Sequence, residues 1–252
     1  MSMDDPFYVG YHDQAPASVA KVMRRLIPAI ALLLVASLAL LARAQQFDDS
    51  AFEFGNVGSF EGIYRADPVA HLRLDDDSVI LLVGTGKFAA EVSAESGARV
   101  RLDGTRIIRN ERIMVEVQQS ATQVLAPATV IPVPVRLGPV DIIGEVVGSK
   151  CFLGVMNPAH GTVHRACTRH CILGGVPALL RPSDGAGASD PSANGLLKGD
   201  AIILVGASLS DLARAAGQMV RVRGSRWAIP GLEWVEADSL TRNHPEELPF
   251  AQ

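Results

Sequence analysis

"GARVRLDGTR", residues 97–106, returns as "GQMVRVRGSR" at 217–226, an offset of 120. "ILLVG" (80–84) returns as "IILVG" (202–206), offset 122, and "VEV" (115–117) as "VEA" (235–237), offset 120. Three matches in order at nearly constant spacing read as a tandem duplication. Each copy is built of short Val/Ile/Leu-rich runs of period two, broken by Asp, Gly and Asn, which is the pattern of half-buried strands.

In copy one the runs at 60–66, 70–74, 79–84, 98–108 and 112–118 are expected strands, with "RNE" (109–111) as a hairpin turn. In copy two they are 141–149, 176–180, 201–206, 219–229 and 232–238, with a helix over 209–216 stopped by Gly217. Three strands, a helix or loop, then two strands is the order of an OB-fold, a five-stranded Greek-key barrel. Another small barrel or sandwich fits that order nearly as well. The expected architecture is mainly β: a first OB-like domain at 55–120, a Pro-rich connector at 121–139, a second OB-like domain at 140–240 and a tail at 241–252. "VLAPATVIPVPVRLGP" (124–139), with four prolines, stiffens the connector.

Working back to the N-terminus, "LIPAIALLLVASLALLA" (26–42) is 17 residues without a charge. As a helix it spans ~25 Å, close to a bilayer's hydrocarbon core. Lys21, Arg24 and Arg25 precede it and only Arg43 follows closely. A transmembrane helix over 26–43 then leaves 1–25 in the cytoplasm and the body outside, periplasmic in a bacterium. "Ala42-Arg43-Ala44" also has the form of a cleavage site, so a removed signal peptide is the rival. Phe7, Tyr8 and Tyr11 are candidates for the headgroup level. The body is 48% hydrophobic and 20% charged over the whole chain, which excludes a disordered or polytopic protein. With net charge −4 and no basic stripe along the sequence, nucleic acid is not an expected partner; the lipid membrane is.

The copies differ in one place. Gly62 aligns with Gly144 at an offset of only 82, so copy two carries about 40 extra residues between its first and third strands. These include the Gly/Ser/Pro/Asp-rich run 181–195 and "CFLGVMNPAHGTVHRACTRHCILGG" (151–175), which holds all three cysteines and three of the six histidines. A short helix over 162–172 puts His164, Cys167 and Cys171 on one face. Cys151 arrives from the end of strand one, and burial of Val163, Ala166 and Ile172 is expected to carry that face towards it. Cys151, His164, Cys167 and Cys171 make a Cys₃His set suited to zinc. With Met156 or His160 the thiolates suit copper, and an iron–sulfur cluster would need His164 or His170 as its fourth ligand.

Two other readings of the loop stay open. One is a disulfide clamp, with Cys151 bridged to Cys167 or Cys171. The other is a reactive Cys151 thiol helped by Lys150; no companion base is evident, so catalysis is the weakest reading. "DDD" (75–77) reads as a turn, with calcium a remote alternative. His12, His71 and His244 are isolated, and Trp227 and Trp234 are expected to pack the second barrel.

"GEVVGSKCFLGVMNPAHGTVHRACTRHCILGGVPALL" (144–180) resembles a motif of poorly characterised bacterial exported or membrane-anchored proteins: G-x-V-V-x-S-K-C, a Gly/Pro loop, H-x-x-C, three residues, C-I, then G-G-x-P. The resemblance covers about 40 residues plus the anchor. It implies an exported β-rich domain with functional weight on Cys151, His164, Cys167 and Cys171; His170 is outside the pattern. Anchor, duplication and loop together point to an accessory protein, a subunit or assembly factor of a membrane respiratory or metal-handling complex.

Overall fold

The computed structural model describes residues 17–44, 50–109, 112–154, 156–183 and 201–242. The chain is mainly β and divides into two units, residues 1–48 and 49–252. In the first, helix α1 (Ala17–Ala44) takes in the whole apolar run, with Pro28 inside it and no residue buried. It is long and apolar enough to cross a membrane, and a signal sequence would pass the same test. The readings made for 1–16, for most of 181–195 and for 243–252 lie outside the described residues.

The second unit holds two closed five-stranded sheets. Strands β1 (Ser50–Arg65), β2 (His71–Arg73), β3 (Val79–Val83), β4 (Arg99–Arg109) and β5 (Arg112–Ala126) close in the order β1-β2-β3-β5-β4. Strands β6 (Val135–Gly148), β7 (Ala178–Pro182), β8 (Ile202–Val205), β9 (Met219–Ile229) and β10 (Leu232–Arg242) close in the equivalent order. In each sheet the third strand runs parallel to the fifth and the remaining pairs are antiparallel. The outer strands are longer than their apolar runs suggest. β5 continues to Ala126 and β6 starts at Val135, which shortens the connector to 127–134.

Glycines permit the tight closure at matching places. A Cβ at Gly62 would sit 2.7 Å from the Arg73 carbonyl oxygen, and one at Gly144 2.6 Å from that of Arg181. At Gly104 and Gly224 a Cβ would run into the backbone of Glu116 and Glu236 respectively. Only a residue without a Cβ lets the facing strands approach so closely.

Each sheet has its own core. The first holds Leu72, Leu82, Val100 and Leu102; the second holds Leu180, Leu204, Val220 and Val235. A third cluster joins the halves: Leu81, Ile107 and Met114 pack with Phe152, Leu179, Ile203 and Trp234. Trp234 pairs across the ladder with Trp227, which packs against the same cluster rather than inside the second barrel. Arg112, at the start of β5, donates to Ala201 O just before β8. The relation is reciprocal: Gly231, just before β10, lies so close to Asp77 O, just before β3, that a Cβ there would overlap it.

The "DDD" turn uses its carboxylates internally. Asp75 accepts from Arg99 at 2.8 and 2.9 Å, Asp76 from Ser78, and Asp77 from Arg73 at 3.0 Å. That is a charged turn, not a calcium cage.

Candidate metal centre

The site begins where β6 ends. Helix α2 (Ser149–Leu153) follows Gly148 directly, so Cys151 lies on a helical turn and not at a strand end. Lys150, Cys151 and Phe152 thereby point in different directions. Cys151 and Phe152 enter the cluster shared by the two halves. Lys150 turns to the first half instead, donating to Gly84 O (2.9 Å) and Gly86 O (2.6 Å) and pairing with Glu116. Bound in that way, it is not the immediate partner of the Cys151 thiol.

The return leg is a 3₁₀ turn (Thr162–His164) followed by helix α3 (Arg165–Leu173). Three residues per turn before the α-helix shift the phase of the faces. The buried stripe of α3 is therefore Thr168, Cys171 and Ile172, while Val163 and Ala166, expected inside, are exposed. Gly161, at φ +77°, makes the preceding turn, and buried Glu145 holds it by accepting the Gly161 N–H. His160 Nδ1 and Arg181 Nη1 stand 3.8 and 4.0 Å from the other Glu145 oxygen.

These turns converge the side chains. Cys151 Sγ and Cys167 Sγ are 3.5 Å apart, and ligand atoms of Cys151, His164 and Cys167 all lie within 4.8 Å of one another. All three cysteines are free thiols. Cys171 falls outside that three-residue group but hydrogen-bonds to Cys151 and is 1% exposed, which places it on the inner side. His160 is engaged with Glu145, Met156 is half-exposed and His170 is exposed.

The electrostatics divide the sulfurs and hold the imidazole neutral. The hydrogen bond with Cys171, then burial, pushes the Cys151 thiol far up, while that same bond pulls Cys171 down against burial, with Lys87, Cys167 and Lys150 assisting. One proton is thus shared unequally across adjacent sulfurs. Burial, followed by Lys87 and His160, lowers the His164 pKa and keeps the imidazole neutral. Its Nε2 is buried with no hydrogen-bond partner among the described residues. A neutral imidazole beside clustered thiols is a donor set for a thiophilic cation, which would displace their protons on binding. Two ligands 2.3 Å from a tetrahedral zinc are roughly 3.8 Å apart, close to the observed sulfur separation.

Sequence reasoning missed Lys87. It belongs to the loop after β3, in the half that lacks cysteines, yet its ammonium bonds the Cys167 thiol. Burial works against the charge, and that bond with the fields of the three cysteines outweighs it and raises the Lys87 pKa. The loop is seated by Ala89 N–H donating to Gly174 O at 2.8 Å. Gly174 and Gly175 at the end of α3 leave room for the Lys87 carbonyl and the Ala89 side chain. "GTGK" (84–87) is legible as a loop, but nothing in it names the partner across the interface.

No protein-family model, curated protein or solved structure matches the chain.

Proposed function

We propose that the protein is a membrane-anchored accessory protein whose Cys/His loop binds a thiophilic transition metal, zinc or copper, through Cys151, His164 and Cys167 with Cys171 as the fourth ligand. One observation carries the reading: the ligand atoms of residues 13 and 16 positions apart in sequence converge within 4.8 Å, with every thiol free. Lys87 and Lys150 offset the negative charge of three thiolates. The equal strand order of the two sheets, their matched glycines and their reciprocal contacts support a tandem duplication of an OB-like unit, with the loop inserted into the second copy. The exposed apolar helix α1, with basic residues before it, supports an anchor with the N-terminus inside and the body in the periplasm. The resemblance of 144–180 to exported bacterial proteins fits that placement, and a role as subunit or assembly factor of a membrane respiratory or metal-handling complex follows from site and anchor together.

Elemental analysis with thiol counting on purified protein tests the reading. Stoichiometric metal with all three thiols reduced supports it. A second reading has its own observation: the 3.5 Å Cys151–Cys167 separation needs only small rotations to form a disulfide in an oxidising compartment. One bond, one free thiol and no metal would establish that clamp.

A further inference from the structure

A reactive thiol at Cys151, helped by Lys150, is the weakest reading of the sequence, and the structure moves that role to another pair. Lys150 is engaged by Gly84 O, Gly86 O and Glu116, and Cys151 is only 9% exposed. Cys167 is the half-exposed sulfur of the three, and Lys87, itself exposed, donates its ammonium to it. A partly exposed sulfur in a positively charged setting is where cysteines that attack other molecules are found.

Behind Cys167 stands a sulfur suited to the next step. Cys151 Sγ is 3.5 Å from Cys167 Sγ, and Cys171, 1% exposed, interacts with both from the inner side. Burial keeps outside molecules from Cys151 and Cys171, yet both are in reach of Cys167. Thiol–disulfide exchange uses this division of labour: an outer sulfur meets the substrate and an inner one releases it. Glu145 holds one leg of the loop at the Gly161 turn, and the shared cluster holds Cys151 and Phe152 on the other. Sulfurs fixed in this way meet as one unimolecular step.

We propose that, with no cation held between them, Cys167 and Cys151 reduce a substrate disulfide, Cys167 as the attacking sulfur and Cys151 as the resolving one. The Cys167 thiolate attacks one substrate sulfur; the substrate S–S bond breaks, a mixed disulfide forms on Cys167, and the first substrate thiolate leaves. Cys151 then attacks the Cys167 sulfur; the mixed disulfide breaks, the Cys151–Cys167 bond forms, and the second substrate thiolate leaves. Two protein thiols are oxidised to one disulfide, one substrate disulfide is reduced to two thiols, and the two protein protons end on those thiols. This goes beyond both readings above. The Cys151–Cys167 bond is the product of a reaction rather than a fixed clamp, and a cation ligated by the same sulfurs blocks the reaction instead of driving it.

The test uses the full chain in phosphatidylcholine nanodiscs, stripped of metal with a chelator, reduced and kept free of oxygen. Oxidised glutathione and insulin serve as the disulfides, one small and one held in a protein, and the ratio of their rates names the source of the substrate. Wild type is expected to form the Cys151–Cys167 bond with release of two substrate thiols, at least ~tenfold faster than the thiols of the urea-unfolded chain react. Acid quenching maps the first adduct on wild type without any substitution, and Cys167 should carry it. Cys167→Ser slows the reaction ~100-fold or more, Cys171→Ser leaves it within about threefold, and Cys151→Ser/Cys171→Ser stops with a substrate thiol held on Cys167. A first adduct on Cys151 or Cys171, an unchanged rate in Cys167→Ser, or a wild type no faster than the unfolded chain overturns the proposal. Zinc and copper(I) are added to the reduced protein in parallel. Metal bound, with no exchange by the metal-free protein, sinks the exchange alone; exchange by a protein that binds neither metal sinks the metal reading alone.

Discussion

Cys151 Sγ and Cys167 Sγ lie 3.5 Å apart across sixteen residues of loop, although no covalent bond joins them. Two structural decisions bring them together. α2 turns the chain out of β6 so that Cys151 faces the interface of the halves, and Glu145 fixes the Gly161 turn from which His164 and α3 start. The thiols therefore meet because a buried carboxylate and a hydrophobic interface hold the two legs of the loop, and the ligands inherit that rigidity.

Lys150 is the first point at which this account meets stability. Its side chain is 11% exposed and ties α2 to Gly84, Gly86 and Glu116 of the other half. Lys150→Met is expected to lower unfolding free energy by about 2–4 kcal/mol, because Glu116 and two carbonyls lose their partner. Urea unfolding checks this. A change below ~0.5 kcal/mol would show that the halves do not depend on the link.

His71 gives the protein an acid limit. It is fully buried, its Nδ1 bonds Val69 O at 2.8 Å, and burial brings its pKa from 6.5 to about 4. The unfolded chain therefore binds a proton between pH 6.5 and 4 that the folded chain refuses. Stability is full above 6.5 and falls as pH drops through that window, by up to ~3 kcal/mol. Carboxylates held low by arginines, such as Glu53 and Asp141, act in the same direction. Comparison with His71→Leu isolates the histidine: the loss between pH 7 and 4.5 should shrink in the variant. Parallel curves for the two proteins would rule His71 out.

The succession of strands along each half was legible because Val/Ile/Leu alternation is a local signal and the 120-residue offset shows in the sequence itself. Spacing pointed to His164 and Cys167 as neighbours, and both meet Cys151, whereas Cys171, expected on the same face, falls outside that group. Three features were not legible. The 3₁₀ turn before α3 moved Val163 and Ala166 outward, a phase shift no periodicity records. α2 arose where "GSKCFL" continues a strand pattern, and the drive to helix is burial of Phe152 and Leu153 between the halves. Lys87 reaches Cys167 only through the packing of one half on the other, a relation that sequence spacing does not carry.

Gly104 and Gly224 occupy equivalent places, each against the backbone of the equivalent glutamate, Glu116 or Glu236. If the two sheets share one architecture, Gly104→Ala and Gly224→Ala should each destabilise by about 2 kcal/mol or more, since the added Cβ has no space without backbone movement. Thermal unfolding of the pair measures this. A neutral effect at one position would mean that the two closures are not equivalent.

The anchor predicts fractionation. With α1 retained, the protein stays with membranes through high-salt and carbonate washes, because ~25 Å of apolar helix lies in hydrocarbon. Recovery of soluble protein beginning at Gln45 would instead identify α1 as a cleaved signal sequence.

X-ray absorption at the metal edge of the purified full chain tests the centre most directly. The account predicts one bound zinc or copper with sulfur neighbours near ~2.3 Å and, for zinc, an imidazole nitrogen near ~2.0–2.1 Å. Cys151→Ser and Cys167→Ser should each lower the sulfur count by about one ligand or cut metal affinity by about 100-fold, whereas His170→Ala leaves both intact. Protein that carries a Cys151–Cys167 disulfide when purified under air, and that binds no metal after anaerobic reduction and metal addition, would contradict it.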